Sequence, residues 1–443
     1  MDRLEDVGPG IAAPRVAVVG AGYAGIAAAV ALVEGGARPT LFDANRTAGG
    51  RARRVEYRGT LLDNGQHLLL GAYRETLALL ATVGAPPRAL RRLPLALHYP
   101  GLLSFAAPRM PAPLHLGAAL LLSRGLGLAD RIAALRLAQA LRKREAAALP
   151  GETVAGFLAR LRQTPRLRGL IWEPLCVAAL NTPAASADAA VFSRVLHDAL
   201  LGSREDSDLL IPARDLSALL PDPALAWLAR HGAAQALGER VNALSRHEAG
   251  WQVSTAQREE RFDAVIVATA PAEAADLLDP LAPLSALAGR LRAIAHEPIT
   301  TLYLQYPSPV ALPFPMLGVA GGCAQWIFDR AALGGPAGLV AAVISASREQ
   351  AALGHGQLSD RVHREIELLA GPLPAATWTK VITEKRATFA CVPGAFRPPV
   401  TTPAAGLLLA GDYTAGPYPA TLEAAVRSGA EAARTFLSRR QTR

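Results

Sequence analysis

The sequence predicts an α/β fold, a Rossmann-like dinucleotide-binding domain carrying an inserted helical plus sheet substrate domain. Three observations predict it. Residues 15 to 43 run strand, glycine-rich turn, alanine-rich helix, strand. Strand-like segments return late in the chain, after a long block of different texture. The 443 residues are 51% hydrophobic and 19% charged, which at about 150 residues per domain is enough apolar side chain for more than one core and excludes disorder as the main state.

Taken in order, Arg15-Val-Ala-Val-Val19 reads as a buried strand, Tyr23 to Glu34 as a helix and Pro39-Thr-Leu-Phe-Asp43 as the second strand of a βαβ unit. The window from Val16 to Val33 has no charge for 18 residues, a length that also suits a membrane span. Its interior glycines, Gly20, Gly22 and Gly25, favour the βαβ unit. From Ala72 to Leu201 the pattern is mostly helical, punctuated by prolines at 86, 87, 94, 100, 108, 111 and 113, before a long helix from about Ala129 to Ala148. Strand patterns follow at Gly250 to Ser254, Phe262 to Ala268, Ile299 to Tyr306, Leu317 to Phe328 and Gly406 to Gly411, and a helix closes the chain. The chain therefore leaves one domain and returns to it. The dinucleotide-binding domain is expected from 1–71, 205–272 and 380–443, and the substrate domain from 72–204 and 273–379.

The chemistry begins at Gly20-Ala21-Gly22-Tyr23-Ala24-Gly25, placed directly after a strand and opening a helix. In a chain this rich in glycine the pattern G-x-G-x-x-G arises by chance roughly 0.3 times, so its context is what makes it informative. The first glycine allows the tight turn, the second lets backbone approach a pyrophosphate, and the third lets helix pack on strand. The helix N-terminus adds free N–H groups and partial positive charge. Asp43 ends the next strand 23 residues after Gly20, where an acid accepts hydrogen bonds from a ribose. Ala48-Gly49-Gly50-Arg51 then offers two glycines for close backbone approach and a guanidinium.

Net charge is +9, nearly all from arginine spread along the chain. That suits an anionic lipid surface, and no aromatic-interleaved basic patch points to nucleic acid. Cys176, Cys323 and Cys391 lie far apart with no CxxC pair, so neither a disulfide framework nor a metal site is expected, and a reducing, cytoplasmic compartment fits. Cys176 reads as a small buried hydrophobe.

The glycine unit followed by Gly49-Gly50-Arg51 resembles the FAD-binding pattern of the amine oxidase and phytoene desaturase superfamily. Further pieces of that pattern stand in order: Gly238-Glu-Arg-Val241, Asp263-Ala-Val-Ile-Val-Ala-Thr-Ala-Pro271, Leu408-Leu-Ala-Gly411-Asp412 and Thr421-Leu-Glu-Ala-Ala425. The resemblance implies FAD, with the backbone of Val241 at the adenine, Gly411 and Asp412 at the ribityl chain and phosphate, and Gly65, Gln66 and Thr421 also at the cofactor. More narrowly, Leu62-Asp63-Asn-Gly-Gln-His67, Ile171-Trp-Glu173-Pro-Leu-Cys176, Ser207-Asp208-Leu-Leu-Ile-Pro212 and Glu384-Lys385-Arg-Ala-Thr-Phe389 look like the hydroxysqualene dehydroxylases, and the likeness runs from about Val16 to Gly429. The chain departs from the family at Ala270 and Ala424, where glycine is usual, and at Tyr413, where tryptophan is frequent.

The resemblance implies replacement of an allylic hydroxyl of hydroxysqualene by hydrogen, with hydride delivered from reduced flavin. Such a reaction needs an acid to help hydroxide leave as water, and a carboxyl in an apolar pocket has the raised pKa required. Asp63, His67, Glu173 and Asp208 are the candidates. Each also has a plain structural reading: a turn aspartate, a hydrogen-bonded histidine, a helix-end carboxylate and a cap. The helical block from Leu114 to Arg144 reads either as a core helix or as a monotopic membrane contact admitting an oily substrate. No second G-x-G-x-x-G occurs, so an external electron donor is expected. The rivals are a carotenoid-type desaturase, an amine oxidase and a flavin-free escort of prenylated proteins. Amine oxidases usually bring a lysine to the flavin, and here the only lysines are Lys143, Lys380 and Lys385.

Overall fold

A computed structural model describes residues 13–86, 88–142, 148–248 and 250–441. Its first layer is a five-stranded, wholly parallel sheet in the order Ala234–Leu237, Arg38–Asp43, Arg15–Val19, Ala264–Val267, Leu407–Leu409. The central strand is buried on both faces, as parallel strands flanked by helices are, which accounts for its unbroken apolar run. Helix Tyr23–Glu34 covers it, and the last helix, Leu422–Gln441, lies against that helix. A Cβ on Gly429 would sit 2.0 Å from the Ala24 carbonyl oxygen, so only glycine permits that approach. The charge-free window is thus core, and no helix among the described residues is long and apolar enough to cross a membrane.

The second layer is a five-stranded antiparallel sheet in the order Met316–Gly318, Trp326–Asp329, Leu339–Ser345, His296–Gln305, Trp378–Phe389. Helix His355–Ala370 packs Leu358, Val362 and Ile366 against Leu302 and Leu304 on one face. By the two-residue alternation of a strand, Thr301 and Tyr303 then face the other way, toward the glycine-rich domain. Their partners there are Gln66 and Asp63.

Four expectations need correction. The boundary at 380 cuts through strand Trp378–Phe389, which pairs along its length with His296–Gln305 and so belongs to the antiparallel sheet. The boundary at 205 places Leu209–Pro212 in the dinucleotide-binding domain, yet that strand pairs with Leu69–Leu70 and Leu90–Leu93 in a small sheet between the two. Residues 90–106 are not helical: Pro94 and Pro100 break each candidate turn, and Gly101, at φ +73°, turns a hairpin of Ala96–Tyr99 and Leu103–Ala106. The segment from Phe262 to Ala268 is two strands, because Asp263 pins the crossing by accepting from the Arg15 N–H at 2.7 Å. The long helix is seen as Leu128–Arg142; its expected continuation through 147 lies outside the described residues, as does Pro87.

Candidate flavin site

The three fingerprint glycines divide by what surrounds them. Gly20 has φ +111° and a Cβ there would meet the Ala268 carbonyl oxygen at 2.6 Å; one on Gly25 would meet the Gly20 carbonyl oxygen at 1.8 Å. Both are demanded by the protein's own packing. Gly22 is different: the nearest atom to its Cβ would be the Gly50 Cα at 4.0 Å. Gly22 and Gly49 form a parallel bridge, closed by a 2.8 Å bond from the Gly49 N–H to the Ala21 carbonyl. Two glycine turns therefore bound an open cradle at the start of helix Tyr23–Glu34. Gly22 caps that helix without a side chain, so the N–H groups of Tyr23, Ala24 and Gly25 are left for an anion.

Asp43 stands beside the cradle, one oxygen accepting from the Ala21 N–H and the other from the Asn45 N–H, both at 2.7 Å. The segment leading to Val241 folds over this strand end, with the Gly238 N–H on the Asn45 carbonyl and the Glu239 N–H on the Asp43 carbonyl at 2.8 Å. Val241 is buried there.

At the other end, Arg51 and Asp412, both expected at the cofactor, bind each other at 2.7 Å. Arg51 also donates to the Ala387 carbonyl. Burial pulls its guanidinium pKa down, but Asp412 outweighs this and raises it. The Gly411 N–H donates to the Ser428 hydroxyl at 2.9 Å, and a Cβ at Gly411 would strike the Tyr413 ring at 2.4 Å. Ala270 needs no glycine, since its φ −66° and ψ 161° are ordinary extended backbone. Thr421 caps the last helix, its hydroxyl accepting from the Ala424 N–H at 3.1 Å. The buried hydroxyls of Thr269, Tyr23 and Tyr413 have no partner among the described residues. An open glycine cradle and unpartnered buried hydroxyls on residues 269 and 413 fit a bound dinucleotide, since buried polar groups otherwise find hydrogen bonds.

The four acid candidates separate. Asp63 ends strand Thr60–Asp63 and is almost wholly buried. One oxygen accepts from the Leu216 N–H at 2.7 Å. Burial pushes its pKa up to about 7, with the Leu216 bond and Arg330 pulling the other way. His67 is half-buried and donates from Nδ1 to the Gly65 carbonyl at 2.7 Å. Burial and then Arg51 lower its pKa, so the ring is neutral near pH 7, and Nε2 carries a lone pair rather than a proton. Asp208 sits in a different setting: its buried carboxyl lies between Arg92 at 3.1 Å and Arg204 at 3.6 Å. Glu173 likewise pairs with Arg168 at 3.2 Å in the first turn of helix Glu173–Leu180 and is half-exposed. No hydrogen bond or ion pair among the described residues joins Asp208 or Glu173 to Asp63 or His67.

Sequence reasoning missed the groups that hold Asn64 to His67. Arg330, buried, donates to the Gln66 side-chain carbonyl at 2.9 Å, and the Gln66 amide donates to the His67 carbonyl at 3.0 Å. The Tyr303 hydroxyl donates to the Asp63 carbonyl at 3.1 Å. Asn64 bridges the Arg51 carbonyl and Glu384, each at 3.3 Å. The available signal was a lone arginine ending the apolar run Trp326-Ile-Phe-Asp329-Arg330. Thr301, not a lysine, faces Gln66 across the gap.

A nucleotide cradle on a parallel sheet, facing an antiparallel sheet, defines a flavin-dependent oxidoreductase. The chain belongs to the flavin containing amine oxidoreductases, matching that family over residues 23–437, and within them to the group of the hydroxysqualene dehydroxylases. It is 30% identical over 444 residues to the hydroxysqualene dehydroxylase of Rhodopseudomonas palustris, covering 96% of this chain and 98% of that one. The corresponding protein of Zymomonas mobilis is 29% identical, with 95% and 98% covered. An oxidoreductase from Methanosarcina mazei shares the fold at a TM-score of 0.73 and 16% identity, over 95% of this chain and all of that one. The cofactor is FAD, and the residues lining the cradle fit it.

Proposed function

We propose that the protein reduces hydroxysqualene to squalene with loss of water. The observation that supports this best is the likeness, over nearly the full length of both chains, to relatives bearing that name. Bound and reduced, FAD supplies a hydride. The chain's own residues then have one chemical task, which is to bring a proton to the departing hydroxyl. As the allylic C–O bond breaks with its electron pair going to oxygen, the oxygen would take that proton and leave as water, the new C–H bond being balanced by the hydride that bound FAD would supply. Asp63 is the group suited to that proton, since its burial keeps it neutral up to about pH 7. One of its oxygens is held by Leu216, which leaves the other to bear the proton. Neutral His67 and the Arg330 to Gln66 chain keep the loop in place beside it. The two electrons would come from a separate donor, because the sequence has no second nucleotide fingerprint. The lack of any lysine on strand His296–Gln305 weighs against amine oxidation.

The test is an anaerobic incubation of the purified flavoprotein, chemically reduced, with hydroxysqualene, read for squalene by mass spectrometry. Squalene formed only by the reduced protein supports the proposal. Flavin bleaching by a polyene or an amine, with no squalene, would reverse the direction of transfer.

A further inference from the structure

We infer that helices Leu114–Leu122 and Leu128–Arg142 form a docking surface for an anionic lipid bilayer, and that the apolar substrate passes beneath it to the flavin site. The access half of this inference rests on the proposed function; the docking half does not. Leu121, Leu122 and Leu128 are 68%, 73% and 73% exposed, and Leu114, Ile132 and Leu135 on the same two helices are exposed as well. Isolated exposed leucines are ordinary, but six on two consecutive helices make a patch that water alone does not favour. Arg131 donates to the Ser123 carbonyl at 3.1 Å and so ties the start of the second helix to the end of the first.

Charge decides what covers the patch. Residues 102 to 142 contain five arginines and one acid, Asp130. That acid is buried and spent on the Gly127 N–H and the Thr164 hydroxyl, at 2.8 and 2.6 Å. On the second helix Leu128, Ile132 and Leu135 fall within about 60° of one another; Arg131 and Arg142 flank one side of that stripe and Arg136 the other. Arg109, Arg124 and Arg136 have no ion pair among the described residues. An apolar stripe between arginines matches acyl chains below and anionic headgroups at the rim, with arginine stems snorkelling outward. A neutral or basic protein surface would leave these cations uncompensated.

The inner side of the first helix, Leu114–Leu122, leads inward. Leu116 and Ala119 join Leu93, Phe105, Met316 and Leu68 in one apolar cluster, and Leu68 directly follows His67. These side chains close around the buried Leu95, Ala107 and Leu209, so contiguous apolar packing joins the helix under the patch to the loop that carries His67.

The experiment is co-sedimentation of the flavoprotein with vesicles of phosphatidylcholine, with and without phosphatidylglycerol, alongside sedimentation velocity without lipid. The wild type is expected to bind the anionic vesicles at least about tenfold better than the neutral ones. Leu122→Glu with Leu128→Glu should lose that binding while keeping its flavin and its turnover of detergent-dispersed substrate. Arg124→Gln with Arg136→Gln should weaken it about fivefold per arginine. Equal binding by wild type and the Leu122→Glu, Leu128→Glu protein, or no binding by either, overturns the inference. So does a concentration-dependent dimer that those two substitutions dissolve, since a second copy would then cover the face. If the wild type binds vesicles but makes no squalene in detergent, the proposed function fails and the lipid surface stands.

Discussion

Replacing Asp63 with asparagine separates the proton it holds from the shape it fills. The asparagine carbonyl keeps the bond from the Leu216 N–H, and its amide occupies the place of the protonated oxygen. In the unfolded chain the carboxyl ionises near 3.8; in the folded protein burial raises that to about 7, a difference worth about 4 kcal/mol. Below the lower value both states hold the proton and folding loses nothing. Between the two values only the folded state holds it, so stability is lost as pH rises, and above about 7 the full cost is carried. Asparagine has no such cost. Its advantage over the wild type should therefore grow by about 2 kcal/mol between about pH 5.5 and about pH 8.5. Urea unfolding midpoints of the two flavoproteins at those pH values measure it. Squalene formation by the variant should fall by about 10² to 10⁴, the range for losing a general acid, with flavin content unchanged, and wild-type turnover should decline as pH rises through about 7. An advantage that stays flat with pH, or a variant that keeps full activity, refutes the assignment.

Two glycines that look alike in the motif should fail differently. Gly22→Ala has room in the protein itself, so it should fold normally yet lose bound flavin, read by absorbance of the purified protein against its circular dichroism. Gly25→Ala drives a methyl into the Gly20 carbonyl and should lower the unfolding midpoint even without flavin. Glu423 is fully buried and accepts from the Glu75 and Thr76 N–H groups, the Thr76 hydroxyl and Arg427. Glu423→Gln should cost about 1 to 3 kcal/mol in denaturant unfolding by weakening the bonds from the Glu75 and Thr76 N–H groups and the Thr76 hydroxyl. Asp208→Asn should destabilise the protein by leaving Arg92 and Arg204 without their shared anion, while squalene formation per bound flavin stays within about twofold; a loss beyond about 10² would restore Asp208 as the acid.

The sequence by itself determined the nucleotide-binding half. Strand, turn and helix from 15 to 43 are local structures, set by residue spacing that a linear reading sees directly, and glycine's lack of a Cβ gives Gly20, Gly22 and Gly25 functions no other residue supplies. Resemblance in short blocks added the flavin. Tertiary structure alone separated Asp63 from Asp208, two aspartates that are both buried. They differ in what distant chain brings to them: at Asp63 desolvation outweighs the Leu216 N–H and Arg330, whereas Asp208 is flanked at close range by Arg92 and Arg204. It also decided the domain boundary, since the strand at 378–389 takes its sheet from a partner some 80 residues earlier. Long-range pairing and burial set a pKa and a register, and neither is written in the spacing of neighbouring residues.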